Sequence, residues 1–175
     1  FEDYRIFSNY GGILKDQGKL KEAEISLRKA IKIKPDFAKL HFNLGNILKD
    51  LGKLKEAEIS TRKAIELNPD FSEFYTNHGA ILNDLGKLKE AEISLRKAIQ
   101  LSPQSTEANN NLSHVLIKSK KFKEGWSQYE WRWKIKNSKT STGEKLVSSK
   151  PEWSPNKKGR VLLWAEQGIG DEILF

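Results

Sequence analysis

The sequence predicts an all-α chain: a right-handed α-solenoid of four helix–turn–helix repeats, with a short truncated α/β stub at the C-terminus. Three observations carry that expectation. The string GKLKEAEIS recurs at Gly18, Gly52 and Gly86, 34 residues apart each time. Pro35, Pro69 and Pro103 keep the same step. Between them, small and apolar residues fall three and four apart, the spacing of one helix face, and a period of 34 is that of a stacked helix hairpin.

The elements follow in order. In the second unit Leu44, Gly45 and Leu48 share a helical face ahead of a turn at Gly52, and Leu54, Ala57, Thr61, Ala64 and Ile65 share the face of the next helix. Small residues such as Gly45, Ala57 and Ala64 let the two helices approach closely, and Pro69 stops the second. The matching sets are Tyr10, Gly11, Leu14, Leu20, Ala23, Leu27 and Ala30 in the first unit and His78, Gly79, Leu82, Leu88, Ala91, Leu95 and Ala98 in the third. A fourth unit is degenerate. Leu112, Leu116, Phe122 and Tyr129 hold the pattern, while Ser113, Lys120 and Gly125 replace the expected glycine, glycine and alanine. Its second helix is aromatic, with Trp126, Trp131 and Trp133 expected to finish the core as a capping unit does. The predicted helix pairs are 3–16/20–33, 37–50/54–67, 71–84/88–101 and 105–118/122–136. The repeat domain then spans 3–136, in units of about 3–36, 37–70, 71–104 and 105–136. A linker rich in Ser, Lys, Gly and Pro follows over 137–160, and the stub over 161–175.

With register kept over three units, residues 3–136 resemble the tetratricopeptide repeat family. That resemblance implies an α-solenoid that binds other polypeptides and has no catalysis of its own.

The expected ligand surface is concave and lined by the first helix of each pair. There SNYGGILKD, FNLGNILKD, TNHGAILND and NNLSHVLIK share one polar feature, Asn9, Asn43, Asn77 and Asn111, again 34 apart. Asparagine is a poor helix-interior residue, but its amide offers a donor and an acceptor. A row of such amides can hydrogen-bond the main chain of an extended peptide without reading its side chains. A competing account has the asparagines bonding between neighbouring helices and fixing the superhelical twist. Lys15, Asp16, Lys49, Asp50, Asn83 and Asp84 should flank the groove with mixed charge, and Phe42 should stand exposed there as an apolar anchor. The pairs Glu24–Arg28, Glu58–Arg62 and Glu92–Arg96 each have the favourable order for about 0.2–0.5 kcal/mol on an exposed helix face. A solvated outer surface accounts for them.

The repeats also resemble those of the O-linked N-acetylglucosamine transferases, through KPDFAKLHFNLGNILKDLGKLKEAE and NPDFSEFYTNHGAILNDLGKLKEAE. In that family an asparagine ladder grips acceptor polypeptides. Further on, RVLLWAEQGIGDEILF reads as a buried strand, a glycine turn and a helix start. With YEWRWK and PEW upstream, it looks like bacterial proteins in which such repeats precede a heptosyltransferase-like glycosyltransferase domain. That likeness implies a catalytic-base role for Asp171 and a nucleotide-site loop shaped by Gly168 and Gly170. Most of such a site is absent from 175 residues, so no catalysis and no cofactor are expected of this chain itself; a longer parent could be a glycosyltransferase.

Composition narrows the alternatives. Cysteine is absent, which removes disulfides and thiolate metal sites. Methionine is absent even at position 1, which points to a piece of a longer gene product. No apolar run approaches the ~20 residues that span a bilayer, and no signal pattern opens the chain, so a cytoplasmic location is expected. The net charge of +8 is concentrated: residues 118–160 hold 13 Lys or Arg against four Glu, leaving the rest of the chain at −1. A basic linker explains that excess, so nucleic acid and anionic membranes are set aside as partners. His41, His78 and His114 occupy different places in their repeats and share no metal geometry. The expected partner is a protein or peptide, and the competing expectation is a homo-oligomer formed by stacking of end repeats.

Overall fold

The computed structural model describes residues 3–131, within the first of two units into which the chain divides, Phe1–Trp131 and Arg132–Phe175. The predicted linker 137–160, the stub 161–175, and with them Gly168, Gly170 and Asp171, lie outside the described residues.

The described residues form eight helices and no strand: α1 (Tyr4–Asp16), α2 (Leu20–Ile33), α3 (Ala38–Asp50), α4 (Leu54–Leu67), α5 (Ser72–Asp84), α6 (Leu88–Leu101), α7 (Thr106–Lys118) and α8 (Phe122–Tyr129). They pack as four hairpins, α1 on α2, α3 on α4, α5 on α6 and α7 on α8, and each hairpin rests on the next through α2–α3, α4–α5 and α6–α7. The solenoid is therefore one-dimensional, each unit touching its neighbours along a continuous core.

Backbone chemistry fixes the hairpins. Gly18, Gly52 and Gly86 take φ of 74°, 75° and 76°, the left-handed conformation that glycine adopts without a Cβ penalty. There the amide of Lys19 reaches the carbonyl of Leu14 at 2.8 Å while that of Gly18 reaches Lys15 at 2.8 Å, the paired cap that satisfies a helix's last carbonyls. Lys53 and Lys87 repeat the bond to Leu48 and Leu82. The fourth unit keeps the turn with the wrong residue: Lys120 sits at φ 61°, and Lys121 still bonds Leu116 at 2.9 Å.

Close packing follows the small residues. A Cβ on Gly79 would lie 2.5 Å from Leu95 Cγ. In the fourth unit that intimacy moves to the other helix. Ser113 stands in place of the glycine, fully buried, its hydroxyl donating to the Asn110 carbonyl at 2.6 Å. A Cβ on Gly125 would in turn meet Ile117 Cγ1 at 2.7 Å. Ser26 and Ser94 tie second helices to first by donating to the carbonyls of Phe7 (2.8 Å) and Tyr75 (2.9 Å).

Three expectations need correction. Tyr10, expected in the core, is exposed, because among the described residues no helix precedes α1 to cover it, whereas its counterparts Leu44 and Leu112 are buried under α2 and α6. Trp126 is not a buried cap: it is exposed on α8, its ring edge-on to Tyr129 at 5.6 Å. Trp131 is half-buried, and Trp133 lies outside the described residues. Phe122 is likewise exposed, although it keeps the repeat pattern.

Candidate peptide-binding groove

Successive first helices touch one another, α3 on α5 and α5 on α7, and successive second helices make no comparable contact. The first helices are thus the inner layer, and their free faces form the candidate groove.

The four asparagines lie at equivalent positions of α1, α3, α5 and α7, at increasing then decreasing depth. Asn9 is exposed, Asn43 and Asn111 are half-buried, and Asn77 is buried. None of the four side chains makes a hydrogen bond among the described residues, and Asn77 Nδ2 is buried without a partner. The account in which these amides bond between helices therefore finds no such bond here. A buried amide donor left unpaired costs on the order of 1–3 kcal/mol, so Asn77 holds a hydrogen bond in reserve.

The flanking charges are paired across repeats. Lys15 lies 3.8 Å from Asp50. Asn83 accepts from Lys118 at 3.0 Å and donates to Asp84 at 3.3 Å. Asp16 and Lys49 lie beside these pairs, the first exposed and the second half-buried. Lys118, not among the residues expected there, holds in α7 the repeat position of Asp16, Asp50 and Asp84 with the opposite charge. Phe42 differs from expectation: it is half-buried, its ring 4.9 Å from Phe74, which in turn stacks on Phe71 at 5.2 Å. Phe42 thus packs on buried Phe74 of the next repeat, where a protruding anchor was expected.

The conspicuous omission is on the other side. Glu24 and Glu58 are buried, and Glu92 is nearly so, where a solvated outer surface was expected. Each carboxylate accepts from the arginine four residues on and from the lysine at the turn of the next hairpin, just before its second helix: Lys53 to Glu24 at 2.8 Å, Lys87 to Glu58 at 2.9 Å, Lys121 to Glu92 at 2.7 Å. Arg28 and Arg96 also reach forward to Glu56 and Glu124, both at 2.6 Å. Burial would raise the Glu24 carboxyl, but the bonds from Lys53 and Arg28 outweigh it and hold it below its ordinary value. Hydrogen bonds from Lys87 and Lys121 hold Glu58 and Glu92 low in the same way. The signal was present in the sequence as a Glu–Lys spacing of 29, which looks like nothing until the repeats are stacked.

The histidines have three unrelated surroundings. His41 Nε2 lies 2.7 Å from the Pro35 carbonyl, His78 Nδ1 lies 3.2 Å from Ser94 Oγ, and His114 packs on Tyr129 at 5.8 Å. Burial lowers the pKa of half-buried His78, and partial desolvation with the nearby Lys118 charge lowers that of His114, which is still exposed. No group of three metal-ligating side chains forms among the described residues, and no helix there is long and apolar enough to cross a membrane.

Known proteins bear on this arrangement. Family models described as the TPR or tetratricopeptide repeat match residues 11–52, 38–71 and 72–105. The first TPR of Spaghetti (RPAP3), solved bound to the HSP90 peptide SRMEEVD, is 26% identical with a TM-score of 0.66, over 67% of this chain and 94% of that one. YrrB, a TPR protein with an unusual peptide-binding site, is 23% identical with a TM-score of 0.63, over 71% of this chain and 64% of that one. A Thermobaculum terrenum O-GlcNAc transferase is 22% identical with a TM-score of 0.61, over 65% of this chain and 22% of that one. No curated protein matches the chain. With adjoining matches over residues 11–105 and an eight-helix α-solenoid of the same fold, the chain belongs to the tetratricopeptide repeat family.

Proposed function

We propose that this chain is a protein-binding scaffold that takes an extended polypeptide along its first helices, the amides of Asn9, Asn43, Asn77 and Asn111 hydrogen-bonding the ligand's main chain. The observation that carries the reading is that these four amides share one repeat position and have no hydrogen-bond partner among the described residues. A polar group kept in register and left unpaired gains most when a ligand supplies its bond. Peptide binding by the Spaghetti and YrrB repeats supports the same use of the fold. Asn77 must turn outward to take part. Lys15, Asp16, Lys49, Asp50, Asn83 and Asp84 then set the polar surface a ligand meets, and half-buried Phe42 offers one apolar seat.

The likeness of residues 161–175 to the start of a heptosyltransferase-like domain supports a second step. In a longer protein the scaffold presents the bound polypeptide to a glycosyltransferase, with Asp171 as base and Gly168 and Gly170 in the loop of its nucleotide site.

The binding step is tested first, using a 15-residue peptide selected on this chain from a randomised display library. Asn43→Ala with Asn77→Ala should weaken that peptide by roughly five- to a hundredfold by fluorescence anisotropy, two hydrogen bonds at about 0.5–1.5 kcal/mol each, with the helical circular dichroism unchanged. Undiminished affinity in the folded double variant contradicts the clamp.

A further inference from the structure

The two halves of each repeat have diverged unequally. Residues 20–31, 54–65 and 88–99 of the second helices are identical but for Thr61, whereas the first helices α1, α3 and α5 share five of 13 positions. Copying of whole units would leave both halves equally alike. Burial accounts for Ala23, Leu27 and Ala30 and their counterparts, and the ion pairs within and across repeats account for the glutamates and arginines. Lys21, Ile25 and Lys29, with their counterparts, are explained by neither.

These residues stand four apart, about 6 Å along the helix and on one side of it. Ile25, Ile59 and Ile93 are 58%, 67% and 70% exposed. A single exposed isoleucine is ordinary, but these three hold one repeat position and form a row across α2, α4 and α6. Lys21, Lys55 and Lys89 border the row on one side and Lys29, Lys63 and Lys97 on the other. The first three lysines are exposed and have no ion-pair or hydrogen-bond partner among the described residues. Of the others, Lys29 lies 5.8 Å from the centre of the Phe7 ring, Lys63 bonds Glu66 at 3.1 Å and Lys97 bonds Gln100 at 3.3 Å. Beside Ile59 an open cavity of about 360 Å³, lined also by His41, Arg62 and Lys63, offers a seat for an apolar side chain. The two layers differ in charge as well. With their N-cap residues, α2, α4 and α6 hold 13 Lys or Arg against seven Glu, while α1, α3, α5 and α7 hold five against six Asp or Glu.

We propose that this outer face is a second polypeptide-binding surface, separate from the groove of the first helices, and that its occupant is an acidic amphipathic helix lying across α2, α4 and α6. Exposed apolar residues rimmed by charge are a common mark of an interaction surface. A helix with an apolar stripe and carboxylates along both of its edges matches an isoleucine row with lysines along both edges. Charge selects that occupant. A second copy of this chain docking by the same face would set lysine against lysine. An anionic bilayer would press uniform negative charge onto Glu22 and Glu90, which are exposed three residues before Ile25 and Ile93, whereas a helix carries its charges at discrete points.

The probe is a fluorescein-labelled 21-residue helical peptide with one leucine stripe and glutamates along both of its edges, titrated into the intact chain by anisotropy. A matched peptide carries lysines in place of the glutamates. Saturable binding is expected, about tenfold tighter for the acidic peptide. Ile25→Ser, Ile59→Ser and Ile93→Ser together should weaken it about tenfold with the helical circular dichroism unchanged, since all three side chains are exposed. Lys21→Glu, Lys55→Glu and Lys89→Glu together should reverse the preference between the peptides, and Asn43→Ala with Asn77→Ala should leave the acidic peptide's affinity as it is. Failure of the acidic peptide to bind, equal affinity for both peptides, or full affinity in the isoleucine variant overturns the proposal. So does loss of binding in the asparagine variant, which would put the peptide in the groove. Cosedimentation with vesicles of equal parts phosphatidylserine and phosphatidylcholine that the isoleucine variant abolishes also overturns it, because lipid would then be the occupant.

Discussion

Lys120 shows how much of this fold rests on single backbone positions. Three glycines take the left-handed turn between hairpin helices, and in the fourth unit a lysine is held there at φ 61°. A side chain in that conformation costs roughly 1–2 kcal/mol, so Lys120→Gly should stabilise the domain by about 1 kcal/mol in urea unfolding. The offset is a looser unfolded chain, since glycine adds freedom there. An unchanged or lower midpoint would mean that the Lys120 side chain contributes a contact that outweighs the strain. The sequence announced this substitution, and the same glance showed Ser113 and Gly125 out of place. What it did not show was how closely Gly125 fits against Ile117, a matter of ångströms between different helices.

At the scale of the element, the helices were legible and their joints were not. Every helix from α1 to α7 begins one residue or less from its predicted start and ends where predicted, because apolar spacing, turn residue and proline are all local signals. The ionic rows are not local. A glutamate paired four residues on looks like surface decoration, yet Glu24 and Glu58 are buried because a lysine 29 residues away closes over them. Glu58→Gln should therefore cost about 1–2 kcal/mol, more than an exposed pair would, measured by thermal or urea unfolding. The pH dependence has a definite sign. The folded carboxyls of Glu24, Glu58 and Glu92 lie below their unfolded value of about 4.5, so their contribution is complete above that value. It is lost as pH falls through the depressed folded pKa. Glu58→Gln should flatten the acid limb of the stability–pH curve as well as lower its plateau; an unaltered acid limb would place that sensitivity in other groups. Phe42 was misjudged for the same reason as the glutamates: its partner Phe74 belongs to the next unit.

Across the whole domain, duplication has made one joint several times over and one polar position four times over. The row at Asn9, Asn43, Asn77 and Asn111 could be found by counting, but its depth could not. Burial of Asn77 beside a half-exposed Asn43 arises from how the inner helices close on one another. A scaffold that grips main chain more than side chains has a property no ordinary pocket shares, and it can be measured directly. The affinity of the selected 15-residue peptide should be compared with that of a scrambled version of the same composition and of one N-methylated at alternate residues. If the amides bind the backbone, scrambling should change the dissociation constant little, and N-methylation, which removes the ligand's own donors, should weaken it at least tenfold. Binding that survives N-methylation and vanishes on scrambling would contradict the account.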